Sequence, residues 1–264
     1  MSKETPEEST PMPFLTTTHG SLFYAESGPA SGRPLLLLHA ALQTHESMAP
    51  LVEALEPLGL RLVRPDLPGH GRSMPAKGGE VRAEAAPGPL TIGGMADAVA
   101  ALIQHLGLGA PVVVGYSLGG MVGVELALRG LASGLVVLAS RIRPAEGARA
   151  VFAPEAIRQR SPLWAQQLAA KHVAVPWERL AAALGDLLAT WPGFDPVALA
   201  TLPVPVLVVQ GDRDQMVPLA QGQELARLVP QGRFQLVPRA GHPELLYRQE
   251  AQVAVKDFMQ KLLV

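Results

Sequence analysis

Ser117 lies in the run Val112-Val113-Val114-Gly115-Tyr116-Ser117-Leu118-Gly119-Gly120-Met121, where β-branched residues lead into a Gly-x-Ser-x-Gly turn and then a helix-compatible stretch. Strand, sharp turn and helix in that order push a serine hydroxyl away from the backbone, which marks Ser117 as a nucleophile. Gly115 and Gly119 are needed because the chain folds back so closely that a Cβ there would meet neighbouring backbone. A serine hydroxyl is a weak nucleophile at neutral pH and requires a base, held in one tautomer by an acid. Two later stretches offer both. Gly211-Asp212-Arg213-Asp214-Gln215-Met216-Val217-Pro218 follows an apolar strand pattern at 206–210, and Arg239-Ala240-Gly241-His242-Pro243 follows another at 234–237.

The elements that must position these groups alternate along the chain. Extended patterns at 14–18 and 21–26 are separated by only a short turn, which suggests an antiparallel edge. Apolar strands follow at 34–39, 60–65, 111–115 and 134–139, interleaved with helical patterns at 48–58, 92–106 and 118–129. After the strand at 206–210 come a helix at 220–228, the strand at 234–237 and a helix at 243–263. Unbroken apolar strands separated by helices indicate a mostly parallel sheet covered on both faces. In such a sheet the loops bearing Ser117, Asp212, Asp214 and His242 all leave the carboxyl edge, where these sheets bind ligands.

The alternation breaks at 141–201, where helical patterns replace a single crossover; Leu180, Leu184, Leu187, Leu188 and Trp191 share one helix face. The expected division is a tail at 1–13, a core at 14–140 and 202–264, and a helical cap at 141–201 between the sixth and seventh strands. The stretch 74–89, rich in Gly, Pro and Ala, reads as a flexible loop.

With these motifs in order, the chain resembles an α/β-hydrolase, of the group that includes esterases, cofactor-free haloperoxidase-type enzymes and C–C bond hydrolases. The resemblance runs from about Phe14 to the end. It rests on His39 after an apolar strand, Asp66-Leu67-Pro68-Gly69-His70-Gly71-Arg72-Ser73, Gly115-Tyr116-Ser117-Leu118-Gly119-Gly120, Gly211-x-x-Asp214-x-x-Val217-Pro218 and Gly241-His242. It implies an α/β-hydrolase fold of about eight strands, with Ser117 as nucleophile, His242 as base and Asp214 as its orienting acid. Asp212 is the competing carboxylate, read as a turn residue. The resemblance also implies an oxyanion hole made by the Leu118 amide and one from His39-Ala40-Ala41-Leu42-Gln43, Ala41 ahead of Ala40. Relatives usually carry glycine after this histidine, and alanine still supplies an N–H. His39, His70 and Asp66 sit in motifs that relatives use structurally.

Bulk properties narrow the rest. A 264-residue chain with 48% hydrophobic and 17% charged residues builds a large core. A net charge of −1 gives no basic face for nucleic acid or an anionic membrane. No cysteine is present, which removes disulfides, a thiolate nucleophile and Cys-ligated metals. His19, His45, His105 and His172 show no paired ligand spacing, so no metal and no cofactor is expected. The polar, acidic start and the short apolar runs point to a soluble, cytoplasmic chain acting on a small molecule.

Trp164, Trp177 and Trp191 read as packing of the cap helices, with an apolar acyl pocket as the other reading. Arg141, Arg143, Arg149, Arg158 and Arg160 read as a solvated face, with an anionic substrate as the other. The expected function is hydrolysis of a small ester, thioester, lactone or amide through an acyl-enzyme. Two alternatives are weighed: C–C hydrolysis or a lyase step on the same fold, and a slow-turnover small-molecule receptor. The lyase group shares Gly-Tyr-Ser-Leu-Gly-Gly but typically continues with arginine, where this chain has Met121.

Overall fold

A computed structural model of the chain describes residues 13–17, 20–75 and 90–263. The tail expected at 1–13, apart from Pro13, and the greater part of the loop expected at 74–89 lie outside the described residues.

The strands are β1 (Phe14–Thr17), β2 (Gly20–Ser27), β3 (Pro34–Leu38), β4 (Arg61–Pro65), the two-residue β5 (Met74–Pro75), β6 (Val112–Tyr116), β7 (Gly134–Leu138), β8 (Val206–Gly211) and β9 (Gly232–Val237). They form one sheet in the order β1-β2-β4-β3-β6-β7-β8-β9, with β5 paired to β2. The β1–β2 and β2–β4 pairs are antiparallel and every pair from β4 to β9 is parallel. The expected antiparallel edge and parallel body are therefore both present.

Helices cover the two faces. Side chains alternate along each strand, so Leu36 and Leu38 of β3 face one core while Leu35 and Leu37 face the other. The first core takes α2 (Ile92–His105) and α3 (Leu118–Leu128); the second takes α1 (Ala49–Leu55) and α10 (Gln249–Leu263). Helix α3 is buried along nearly its whole length, which fits a sequence apolar on all sides rather than amphipathic.

The stretch between β7 and β8 carries α4 (Ala148–Val151), α5 (Pro154–Arg160), α6 (Pro162–Lys171), α7 (Trp177–Thr190) and α8 (Pro196–Leu199), and α9 (Leu219–Leu228) follows β8. With β5 left out of the count, that insertion falls between the sixth and seventh strands. Pro154, Pro162 and Pro196 open their helices, where a missing N–H costs nothing and the fixed φ is already helical. Leu180, Leu184, Leu187 and Leu188 share the buried face of α7, as expected. Trp191 lies just past that helix, in extended conformation (φ −60°, ψ 128°). Pro192 follows it and disfavours the helical region for the residue before it.

The helix expected over 243–263 begins later. A 3₁₀ turn at Leu245–Tyr247 is followed by extended Arg248 (φ −80°, ψ 124°), and α10 starts at Gln249. The Gln252 side chain donates to the Leu246 carbonyl at 2.9 Å, a group that this break removes from regular helical bonding.

Backbone packs closely against backbone at the β6–α3 corner. A Cβ on Gly115 would collide with the Gly119 carbonyl, and one on Gly119 with the Leu38 carbonyl of β3. Both obstacles are backbone and cannot swing aside. Gly119→Ala is therefore expected to destabilise the protein by about 3 kcal/mol or more, at the upper end of overpacking costs. Chemical denaturation checks this, and an unchanged unfolding midpoint contradicts the close approach of α3 to β3.

Candidate active site

The β6–α3 corner holds Ser117 at φ 52° and ψ −112°, outside the regions ordinarily open to a residue with a side chain. Neighbours fix it on both sides. Its N–H donates to the Leu138 carbonyl at 2.8 Å, tying the corner to β7. Its carbonyl accepts the Ser140 hydroxyl at 2.7 Å and the Gly120 N–H at 3.0 Å.

His242 and Asp214 come to this hydroxyl from the ends of β9 and β8. His242 Nε2 lies 3.1 Å from Ser117 Oγ, and His242 Nδ1 lies 2.8 Å from Asp214 Oδ2. A carboxylate can only accept, so the neutral ring carries its proton on Nδ1 and leaves the Nε2 lone pair facing the serine. The Asp214 side chain is 1% exposed. Its other oxygen accepts the Met216 and Val217 N–H groups, each at 2.8 Å, which fixes the carboxylate's plane. Asp212 turns elsewhere: its Oδ1 accepts the Arg239 N–H at 2.6 Å. The structure thus brings Ser117, His242 and Asp214 together and leaves Asp212 on a turn.

The loop after β3 lies alongside. Gln43 N–H donates to the Ala40 carbonyl at 3.1 Å, and Leu42 takes φ 57°, as the third residue of a type II turn does. His39 Nδ1 lies 2.8 Å from that same Ala40 carbonyl, and His39 Nε2 accepts the Leu67 N–H at 2.8 Å. The peptide unit is planar and trans, so holding the Ala40 carbonyl on one side directs the Ala41 N–H to the other. Ala41 is half-buried, while Ala40 is buried. Leu118 opens α3, so its N–H has no partner within the helix.

Around this edge, buried polar groups hold backbone. Asp66 accepts the His45 N–H and Nδ1 through Oδ1, at 2.8 and 2.7 Å, and the Arg72 N–H through Oδ2, at 3.0 Å. Burial alone pushes the Asp66 carboxyl up; the bonds from His45 and Arg72 and the nearby His39 ring outweigh it and hold the group at about 2. Burial lowers His39 to about 4, against the partial opposition of Asp66, and carries His70 well below its ordinary value. The His39 and His70 rings pack at 5.0 Å, and His70 packs against His172 at 5.8 Å. Among the described residues no group of His, Asp and Glu side chains is arranged to hold a metal ion.

Two residues escaped the sequence reading. Tyr116, the second residue of the Gly-x-Ser-x-Gly string, donates from its hydroxyl to the His242 carbonyl at 2.6 Å and stacks on the His242 ring at 5.3 Å. Burial, followed by the charges of Asp214 and Glu244, pushes its phenol up, so it remains a donor. His172 shows no ligand spacing in the sequence, and its partners, Gly71 and Leu42, lie far away along the chain. The tryptophans pack: Trp177 is buried in the core, and Trp191 meets Phe194 edge-on at 4.9 Å. Trp164 is half-buried against the same core. Four of the five arginines are surface partners: Arg143 of Glu224, Arg149 of Asp186, Arg158 of Glu178, and Arg160 of the Val151 carbonyl. Arg141 is half-buried and donates to the Met216 carbonyl, on the loop that carries Asp214.

With this geometry in hand, the comparisons with known proteins are direct. Residues 35–256 match the alpha/beta hydrolase family, and the chain belongs to that family. The RutD protein of Caulobacter vibrioides is 30% identical over 259 residues, covering 86% of this chain and 90% of that protein. The magnesium-chelatase 30 kDa subunit of Rhodobacter capsulatus is 34% identical over 103 residues, 39% of this chain, and the chain spans only 33% of that relative's length. Among solved structures, a thermophilic esterase from Thermogutta terrifontis superposes with a TM-score of 0.74 at 26% identity, over 94% of this chain and 98% of that one.

Two outcomes follow from the site. An imidazole whose pKa is lowered on folding binds fewer protons in the native state, so its contribution to stability is complete above about pH 6.5 and is lost toward its folded pKa. For His39 the loss amounts to about 3 kcal/mol between pH 6.5 and 4, with His70 acting in the same direction and Asp66 adding its loss only below about pH 4. Urea midpoints measured from pH 7 to 4 should fall steadily, and a flat profile over that range contradicts buried neutral histidines. Tyr116→Phe, which keeps the stack and removes the bond to His242, is expected to slow turnover about tenfold while the protein stays folded, as read from steady-state kinetics beside a melting curve.

Proposed function

We propose that the chain is a serine hydrolase acting on a small ester, thioester, lactone or amide. The observation that carries this reading is the continuous line from Asp214 through His242 to Ser117, at 2.8 and 3.1 Å. In the proposed mechanism Ser117 passes its proton to His242 Nε2 as Oγ attacks the substrate carbonyl carbon. Asp214 stabilises the imidazolium that forms, its own orientation held by the Met216 and Val217 N–H groups. The Leu118 and Ala41 N–H groups receive the oxyanion; each such donor is worth about 10²–10³ in rate. His242 then protonates the leaving group, and water, deprotonated by the same ring, cleaves the acyl-enzyme.

In this reading residues 14–140 and 202–264 form the catalytic core and 141–201 a cap that shapes the substrate cavity. The partner is a small molecule and the setting cytoplasmic. No helix among the described residues is long and apolar enough to cross a membrane. The esterase likeness supports the ester end of the substrate range.

A fluorophosphonate probe should label the wild-type chain and fail to label Ser117→Ala, with hydrolysis of p-nitrophenyl esters reduced by roughly 10⁴-fold or more in the variant. Labelling that survives the substitution would falsify the assignment. Esters of graded chain length, with lactones and amides alongside, should show a maximum that sizes the cavity.

A further inference from the structure

His172 belongs to none of the groups that carry the proposed chemistry, yet it joins the insertion to the edge where that chemistry sits. It follows α6 and is buried. Its Nδ1 accepts the Gly71 N–H at 2.9 Å, and its Nε2 lies 3.2 Å from the Leu42 carbonyl. Because Nδ1 accepts, the neutral ring carries its proton on Nε2 and donates it to Leu42. The segment beside it is tied to the same place, for the Val173 and Ala174 N–H groups both reach the Gly71 carbonyl, at 3.1 and 3.2 Å.

The turn that His172 touches is the one that presents the Ala41 N–H. Its first carbonyl, that of Ala40, is held by the buried His39 ring and by the turn's own Gln43 N–H. Its third residue is a leucine at φ 57°, in a place that favours glycine. The Leu42 side chain is buried and cannot move freely, and its carbonyl is held from the insertion by His172. Released there, the leucine can relax to negative φ by rotation of the Ala41–Leu42 peptide, and the donor at Ala41 loses its fixed support on that side. The two imidazoles that hold the turn's carbonyls are also the ends of one packed row, His39–His70–His172.

We propose that His172 is a positioning residue for the oxyanion hole: by holding the Leu42 carbonyl it makes seating of the cap and alignment of the Ala41 donor a single event. The proposal rests on the serine-hydrolase reading of the site. It treats 172 as the point through which the cap acts on the rate of the chemical step and not only on substrate fit.

The test uses the full chain with p-nitrophenyl acetate as substrate and phenylboronic acid as a tetrahedral mimic. His172→Ala is expected to lower kcat about tenfold or more, leave KM within about twofold, and weaken the boronic acid by a factor similar to the loss in kcat. His172→Gln, whose amide can accept from Gly71 and donate to Leu42, should recover much of kcat. A folded His172→Ala protein with wild-type kcat, or with its whole loss in KM, overturns the proposal. If His172→Ala does not fold, His172→Phe keeps the ring's bulk without either bond and carries the same expectations. Hydrogen exchange at the Gln43 amide is read in parallel: faster exchange in the variant supports the tie, and equal exchange overturns it. That measurement needs no turnover. If wild-type activity proves independent of Ser117, the reading of the site fails and the exchange result alone judges the tie.

Discussion

Ser117 holds a backbone conformation that costs an ordinary residue about 1–3 kcal/mol, and such strain persists only where the surroundings leave no alternative. Here the surroundings are backbone. Gly115 and Gly119 let α3 press against β6 and β3 with no side chain between, and the Ser117 N–H and carbonyl are taken by Leu138 and Ser140. Once that corner is closed, the sheet register places the rest. Leu38 pairs with Gly115, Tyr116 with Leu138, Leu138 with Val209, and Gly211 with Val237. The ends of β3, β6, β8 and β9 are therefore level, and the loops that follow them open onto one place.

What holds those loops is a set of buried polar side chains bonded mainly to backbone. His39 spans Ala40 and Leu67, Asp66 spans His45 and Arg72, and Ser73 links the Asp66 carbonyl at 2.6 Å to the Phe23 N–H at 2.8 Å. Each replaces bonds that irregular buried backbone would otherwise lack. His39 and, from the insertion, His172 serve as neutral rings, one nitrogen donating and the other accepting, and burial keeps them so. The imidazole on Ser117, like that of His45, faces a carboxylate, and Tyr116 stacks beneath it.

The strands and the serine corner were legible because apolar runs and glycine spacing are local signals. So was the leucine face of α7. The choice of Asp214 over Asp212 came from the resemblance and not from local pattern, since both follow the same strand within two residues. In the structure Arg239 takes φ 59° after β9 and delivers its N–H to Asp212, while Asp214 faces the ring. Tyr116 was hidden because its position in the motif tolerates any residue, and its partner lies 126 residues away. His172 reaches 101 residues to Gly71 and 130 to Leu42, separations at which no spacing rule operates. The late start of α10 was missed for a related reason: the helical pattern after Pro243 is real, but the chain is first held at His242 by Tyr116.

The alanine after His39, where relatives usually have glycine, takes its meaning from backbone angles. Ala40 is not among the residues with positive φ, so the position makes no demand that only glycine meets. The demand falls two residues later, on Leu42, which has a bulky side chain and a left-handed backbone together. A glycine at 42 would remove the conformational cost, but it would also remove a buried leucine from the core that carries α2 and α3. The leucine therefore makes the turn depend on what packs over it, the core beneath and the insertion above. A glycine at that position could hold the left-handed conformation without help; leucine holds it here with its side chain buried in the core and its carbonyl bonded to His172.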